Sequence, residues 1–192
     1  VIVDGVVVSV HNAGAYTGLY NCTPNVCAAL VTPLGWGNNQ LEYDTARPEN
    51  ASLDGSGHLA ITARKEEYQG NQYTSARINT SGLFSHTRGK FEARILLPIG
   101  RGIWPAFWML GTDITSAGWP ACGEIDIMEH LGHEPAVAYS NVHGPGYSGA
   151  GGLGNSLRLP GGQGFADGFH VFSVEWEPNV LRFFVDGQLY HT

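Results

Sequence analysis

The chain has 192 residues, a net charge of −7 at pH 7 and only 14% charged residues. Its length suits one domain with a substantial core and no linker or charge block divides it, so we expect a single domain over 1–192. Lysines and arginines are few and scattered, which argues against nucleic acid or an anionic membrane as a partner and favours a neutral ligand. No apolar run approaches the roughly 20 residues that a membrane span needs.

Short apolar or alternating runs recur between turn signals, and no long stretch keeps a helical period. The valine-rich start, 1–10, predicts a hairpin or an edge strand. Further strands are predicted over 59–64, 90–97, 124–129, 137–143, 169–176 and 180–185. Asp186-Gly187 lies between two apolar runs and predicts a hairpin turn. Strands at this spacing indicate an all-β sandwich or barrel.

The three cysteines do not form an obvious chemical motif. Cys22 and Cys27 are close enough in sequence to form a small disulfide loop, as in an extracellular protein. Cys122 lies next to an acidic segment, but no pattern of partner His and Asp accompanies it. We therefore interpret Cys122 as a small buried apolar residue rather than a nucleophile.

The segment 123–130, GEIDIMEH, places three acids within six positions, separated by large apolar residues. Alternate side chains of a strand share a face, so Glu124 and Asp126 should lie together while the isoleucines point into a core. Glu129 has the wrong parity for the acidic face. We predict a β-bulge near Met128 that returns Glu129 to it. From this pattern alone, an edge strand with a solvated acidic face is the alternative.

Carboxylates this close repel one another, so at least one should keep its proton well above the reference pKa of about 4. A protonated acid beside an ionised carboxylate is what cleavage of a glycosidic bond requires. Three tryptophans precede the acids in the sequence: Trp104, Trp108 and, just before the acidic strand, Trp119. Tryptophans stack on the apolar faces of sugar rings, so they indicate a saccharide cleft, with core packing as the alternative.

Histidines and glycines surround the acidic segment. No histidine spacing of the His-Glu-x-x-His kind occurs, so we predict no metal site, and His143 is expected to hydrogen-bond within the acidic site. The glycine-rich segment 144–152 predicts a mobile loop bordering the cleft. Tyr147 in this loop either contacts a sugar or anchors the loop.

Six segments together carry a family resemblance. They are GWGNNQLEY (35–43), LAITAR (59–64), YTSAR (73–77), GKFEARILLPIGRGIWPAFWMLG (89–111), GEIDIMEH (123–130) and VHGPGYSG (142–149). In this order they resemble glycoside hydrolase family 16, in its bacterial laminarinase (endo-1,3-β-glucanase) branch. The resemblance covers roughly 36–191.

The resemblance implies a concanavalin A-like β-jelly-roll sandwich of two antiparallel sheets, whose concave face forms a glucan cleft, and a retaining double displacement. Glu124 would be the nucleophile and Glu129 the general acid/base, while Asp126 would hydrogen-bond Glu124 and assist proton cycling. The additional Met128 is typical of laminarinase-like members. The implied activity is therefore endo-acting hydrolysis of internal 1,3-β-glucosidic bonds in laminarin-type glucans.

The resemblance also implies a set of residues that bind substrate on the glycone side of the cleft. They are Asn38, Arg77, Trp104, Trp108, Trp119 and His143. No cofactor is expected for catalysis. The structural calcium of many relatives takes ligands from terminal strands that this sequence does not show, so that ion is not carried over. We expect a secreted monomer that acts on β-glucan polysaccharide.

The resemblance fades at both ends of the chain. Residues 1–34 lack the opening segments of the family, and the family's strands after the 186–187 turn are missing beyond Thr192. Three alternatives on the same scaffold remain open: a non-catalytic β-glucan-binding protein, a mixed-linkage 1,3-1,4-β-glucanase and a transglycosylase. Binding proteins of this kind usually lose one or both catalytic glutamates, whereas this sequence has both.

Overall fold

A computed structural model describes residues 40–81 and 84–192, together with the backbone of strand 6–9. Cys22, Cys27 and Asn38 lie outside the described residues. The strands are β1 (Val6–Ser9), β2 (Glu42–Asp44), β3 (Ala51–Leu53), β4 (Leu59–Ile61), β5 (Arg64–Tyr68), β6 (Asn71–Ser75), β7 (Gly89–Leu96), β8 (Ala106–Leu110), β9 (Glu124–Glu129), β10 (Val137–His143), β11 (Asn155–Arg158), β12 (His170–Glu177), β13 (Val180–Val185) and β14 (Gln188–His191). A four-residue helix, α1 (Ile114–Ala117), and a 3₁₀ turn (Gly149–Gly151) complete the described elements.

Two sheets pack face to face around the hydrophobic core. One has seven strands in the order β14-β13-β12-β7-β1-β4-β3, and the other has four in the order β11-β10-β9-β8. Strand β7 shows how alternation builds the core: Ala93 and Ile95 are 2% exposed, whereas Lys90 is exposed to solvent. Phe172 of the larger sheet and Ile127 of the smaller belong to one buried cluster. The all-β sandwich predicted from the spacing of apolar runs is confirmed.

A third, three-stranded sheet in the order β2-β6-β5 modifies the expected arrangement of two antiparallel sheets. Strands β2 and β6 are parallel, with Glu42 opposite Tyr73. A parallel pair needs a long crossover connection, and here the chain supplies it by passing through β3, β4 and β5 between the two partners. The run 59–64, predicted as one strand, is divided at Thr62-Ala63 because its two halves join different sheets.

The strands predicted over 90–97, 124–129, 137–143, 169–176 and 180–185 are found within one residue of their expected ends. The start of the chain, predicted as a hairpin or an edge strand, instead contributes β1, which pairs with β7 on one side and β4 on the other and so lies inside its sheet. The turn at Asp186-Gly187 joins β13 to β14, and both residues have positive φ, 49° and 79°. Two positive φ values in a two-residue loop define the type I′ turn that Asp-Gly favours. In the part of the chain that the structure describes, no helix is long and apolar enough to cross a bilayer.

Candidate functional site

The acidic strand β9 lies in the middle of the four-stranded sheet, between β8 and β10, and contains the predicted bulge. Asp126 is opposite Asn141 and Glu129 is opposite Tyr139, so three steps along β9 match two along β10. The extra residue lets consecutive Ile127 and Met128 both enter the core, each 1% exposed. Glu129 is thereby returned to the outer face of the sheet, together with Glu124 and Asp126.

Burial and mutual repulsion shift the protonation of this acidic face. The Asp126 side chain is 4% exposed. Burial, the charges of Glu129 and Glu124, and a hydrogen bond with Glu124 raise the pKa of Asp126 to about 9. Burial also raises the pKa of Glu129, an effect partly offset by a hydrogen bond from Trp104 and by the nearby His143. At neutral pH Asp126 therefore holds a proton, which it donates to Glu124.

Two tryptophans hold the two glutamates from opposite ends of β9. The indole N–H of Trp104 donates to Oε1 of Glu129 at 3.0 Å, and that of Trp119 donates to Oε2 of Glu124. Both indoles are about half exposed, at 51% and 49%. Neither is a core residue, so their rings are available to a ligand while their N–H groups fix the carboxylates.

His143, at the end of β10, completes the cluster. Its Nε2 lies 3.2 Å from Oδ2 of Asp126, and its ring is 6.0 Å from that of Trp119. Glu124, Asp126 and His143 offer ligand atoms within 4.8 Å of one another, which makes them a set that could hold a cation. A cation there would have to displace the proton that Asp126 carries at neutral pH.

The glycine-rich segment after β10 packs against His143. A side chain at Gly152 would place its Cβ 2.4 Å from Cε1 of His143 and 2.5 Å from Oδ1 of Asn141. Only glycine therefore lets the chain pass this close to the imidazole. Tyr147 pairs with Gly144 in a short bridge, and its hydroxyl lies against the Gly144 backbone, a position that favours anchoring of the loop.

Arg77 and Trp108 lie on the β8 side of the acids. Trp108 is the β8 partner of Asp126, and the Arg77 guanidinium lies 5.3 Å from the centre of its indole. Arg77 donates to Gln40 at 3.3 Å and interacts with the charge of Glu124. Trp108 is only partly buried. The structure thus brings all the predicted substrate-binding residues that it describes to the outer face of this sheet or its border.

An open groove of about 530 Å³ lies on the other side of the acids, along β10 and β11. Its lining includes Glu129, Trp104, Leu131, Tyr139, Asn141 and Gly154. The sequence analysis missed Tyr139 and Asn141. Counting back in steps of two from His143 places both residues on the acidic face, so the signal was available in the strand pattern.

Cys122 is a free, partly buried thiol next to the acidic strand. Its Sγ contacts only the neighbouring backbone carbonyl of Gly123, at 3.4 Å, among the hydrogen bonds of the described residues. Nothing in this geometry indicates a nucleophilic role for Cys122.

The fold and the site together define a class: an all-β sandwich whose smaller sheet presents clustered carboxyl groups and half-exposed tryptophans on its outer face, as carbohydrate-binding clefts do. Residues 38–192 match the family described as Glycosyl hydrolases family 16. The chain belongs to this family.

Relatives with determined structures or curated descriptions resemble the chain closely. The beta-glucanase of Rhodothermus marinus is 50% identical over an alignment of 162 residues, which covers 82% of this chain and 55% of that protein. The laminarinase structure from Rhodothermus marinus superposes with a TM-score of 0.79 at 47% identity, covering 85% of this chain and 66% of that one. The structure of the laminarinase catalytic domain from Thermotoga maritima superposes with a TM-score of 0.77 at 51% identity, covering 82% of this chain and 63% of that one. This chain thus spans little more than half the length of that beta-glucanase.

Proposed function

We propose that the protein is an endo-acting β-glucanase that hydrolyses internal 1,3-β-glucosidic bonds of laminarin-type glucans with retention of configuration. The observation that carries this proposal is the pairing of Glu124 and Glu129 on one face of β9, each held by a tryptophan N–H, with the protonated Asp126 between them. The similarity to proteins described as laminarinases supports the same linkage.

In the proposed first step, Glu124 attacks the anomeric carbon of the sugar. The hydrogen bonds from Trp119 and protonated Asp126 orient its carboxylate and stabilise its charge. Glu129 gives its proton to the glycosidic oxygen as the carbon–oxygen bond breaks, and the aglycone leaves as an alcohol. A glycosyl ester on Glu124 remains.

In the second step, Glu129 has become a carboxylate and accepts a proton from water. The resulting hydroxide equivalent attacks the anomeric carbon, the ester bond to Glu124 breaks, and the glucan is released with its original configuration. Burial raises the pKa of Glu129, which favours its proton-donating form in the free enzyme. The hydrogen bond from Trp104 opposes that shift and stabilises the carboxylate needed in the second step.

The test is reducing-sugar release from laminarin, lichenan and carboxymethylcellulose by the protein and its Glu124→Gln variant. Glu177→Gln is the matched control, because Glu177 is an exposed carboxylate at the end of β12 in the other sheet. Release from laminarin by the protein and the control, but not by Glu124→Gln, is expected. Binding of laminarin without release by the wild-type protein would instead identify a β-glucan-binding protein.

The products decide between the remaining alternatives on this scaffold. Faster release from lichenan than from laminarin would identify a mixed-linkage glucanase. Products longer than the starting oligosaccharide would identify a transglycosylase. We also propose that the protein acts outside the cell, because a polymeric glucan does not cross a membrane; fractionation of the producing cells tests this location. The monomeric state stays a prediction, which sedimentation analysis tests.

A further inference from the structure

The hydrogen bond between Trp104 and Glu129 joins two segments that are distant in sequence. Trp104 lies in the loop 97–105 between β7 and β8, and Glu129 is the last residue of β9. The Trp104 indole is 51% exposed, so packing in a core does not hold it in place. The separation of the two backbones must therefore be fixed by other contacts, because a hydrogen bond weakens steeply when its geometry is lost.

Backbone hydrogen bonds hold this loop against the segment that follows β9. The N–H of His130 donates to the carbonyl oxygen of Pro105 at 3.1 Å, and the N–H of Gly132 donates to that of Ile103 at 2.9 Å. The two acceptors are the residues on either side of Trp104. The segment from His130 to Gly132 is therefore a support segment that fixes the backbone from which the indole projects.

Gly132 lets the loop approach the support segment closely. An added Cβ at Gly132 would lie 2.4 Å from the carbonyl oxygen of Gly100 and 2.9 Å from Cβ of Ile103. The N–H of Gly100 also donates to the carbonyl oxygen of Gly132 at 2.8 Å. Both contacts lie on or next to the backbone of the loop, so a side chain at this position would displace the loop itself.

The side chain of His130 anchors the support segment from inside the sandwich. It is 0% exposed, and its Nδ1 lies 2.8 Å from the carbonyl oxygen of Val137, the first residue of β10. A carbonyl oxygen only accepts, so Nδ1 carries the proton of this hydrogen bond. Among the described residues, the buried Nε2 has no hydrogen-bond partner of normal geometry, although the carbonyl group of Pro98 in the loop is close enough to favour a protonated ring.

The electrostatics of His130 suit a positional role. Burial is the main influence on its pKa and lowers it, and the carbonyl groups of Val137 and Pro98 oppose this effect only in part. The imidazole is therefore neutral at neutral pH. It fixes the backbone by one hydrogen bond and by packing, with the ring centre of Phe165 6.0 Å away, and adds no charge beside Glu129.

We propose that His130 is a positioning residue for the general acid/base, because through the support segment it sets the geometry of the hydrogen bond from Trp104 to Glu129. Gly132 has the same role by allowing the close approach of the loop. Both residues are buried, so they influence the reaction only through the groups that they hold. The inference rests on the proposed glucanase function and deepens it: a bond that stabilises the Glu129 carboxylate decides at which pH this residue can give its proton.

The experiment measures the alkaline limb of the pH profile of kcat/KM on laminarin, which reports the proton on Glu129. His130→Leu removes the N–H donor and keeps an apolar side chain. Its alkaline limb should move to higher pH, as in Trp104→Phe, because the hydrogen bond that favours the carboxylate is lost. In the double variant the limb should stay where Trp104→Phe alone places it, since both substitutions remove the same bond.

Two control variants separate positioning from a general loss of stability. His130→Asn supplies an amide N–H in place of the Nδ1–H and should restore the wild-type limb. Val174→Ala leaves a cavity at a core residue of the other sheet that is 0% exposed, and it should destabilise the protein without moving the limb. The proposal would be overturned by a limb of His130→Leu at the wild-type pH, by an equal movement in Val174→Ala, or by additive shifts in the double variant.

Gly132→Ala tests the support segment without altering His130, and it decides the question if His130→Leu does not fold. The alkaline limb should again move to higher pH, and kcat should fall roughly tenfold as Trp104 and Glu129 are displaced. Gly168→Ala is the matched control, because a Cβ there meets nothing within 4 Å and neither glycine has a positive φ. Equal behaviour of the two alanine variants would contradict the role of Gly132.

Failure of the glucanase proposal would look different, since the wild-type protein would then not hydrolyse laminarin. The positioning role is in that case tested on the indole N–H resonance of Trp104 in the NMR spectrum, identified by its absence from Trp104→Phe. In the wild type this resonance should shift with pH as Glu129 titrates. The pH dependence should be lost in His130→Leu and retained in His130→Asn. A dependence that persists in His130→Leu, or that is absent from the wild type, contradicts the proposal.

Discussion

The substitution Asp126→Asn tests the electrostatics of the acidic strand most directly. Asp126 is 4% exposed and lies between two glutamates, and its pKa of about 9 is far above its ordinary value of 3.8. The folded protein therefore binds this proton more tightly than the unfolded chain does. Its contribution to stability is complete below about pH 4, decreases as the pH rises, and is lost by pH 9.

The size of the effect follows from the interval between the two pKa values. Each pH unit within it lowers the free energy of unfolding by about 1.4 kcal/mol for one proton. From pH 5 to pH 8 the Asp126 proton therefore accounts for a loss of about 4 kcal/mol in the wild-type protein. Asparagine does not titrate, and its amide still donates to Glu124. The variant should be more stable than the wild type at pH 8. The difference between their free energies of unfolding should decrease toward pH 5.

Urea unfolding followed by tryptophan fluorescence at pH 5, 6.5 and 8 measures this difference. Glu177→Gln serves as the control for a lost carboxylate on an exposed site. The free energy of unfolding of the variant is subtracted from that of the wild type at each pH. The difference removes the contribution of Glu129, whose pKa is also raised and which both proteins contain. Parallel pH dependences for wild type and Asp126→Asn would mean that Asp126 is ionised in the native protein, and the reasoning would fail.

Two further predictions concern the neighbours of the acids. Trp104→Phe removes a hydrogen bond that lowers the pKa of Glu129. The alkaline limb of the pH profile of kcat/KM should therefore move to higher pH. An alkaline limb that stays in place or moves to lower pH would contradict this assignment. Gly152→Ala places a Cβ 2.4 Å from the imidazole of His143. The imidazole must then shift by about 1 Å to restore contact distance. This displacement should lower kcat roughly tenfold to a hundredfold. Gly151→Ala meets nothing within 4 Å and should retain activity; equal effects of the two alanines would show that the loop acts through its flexibility instead.

Much of the site could be predicted from local pattern. The alternation of acids and isoleucines placed Glu124 and Asp126 on one face, and the broken parity at Glu129 predicted the bulge that the register of β9 confirms. The Asp-Gly turn between β13 and β14 was equally readable, because two positive φ values in sequence favour that pair of residues.

Other features depend on partners that are distant in sequence. The sequence around Tyr139 does not show that its hydroxyl donates a hydrogen bond to Glu134. The parallel pairing of β2 with β6 likewise joins segments that are separated in sequence by three other strands. The break at Thr62-Ala63 also escaped prediction, since an apolar run looks the same whether it stays in one sheet or passes into another.

The sequence by itself determined which side chains can do chemistry and that three carboxyl groups share one strand, because side-chain direction in a strand is a local, two-residue repeat. Only the tertiary structure decided their protonation and their surroundings. Asp126 holds its proton because the sandwich removes it from water between Glu124 and Glu129, and the groove exists because β10 and β11 extend the sheet beyond Glu129. Desolvation and the shape of a cleft are set by cross-strand neighbours, which local sequence does not encode.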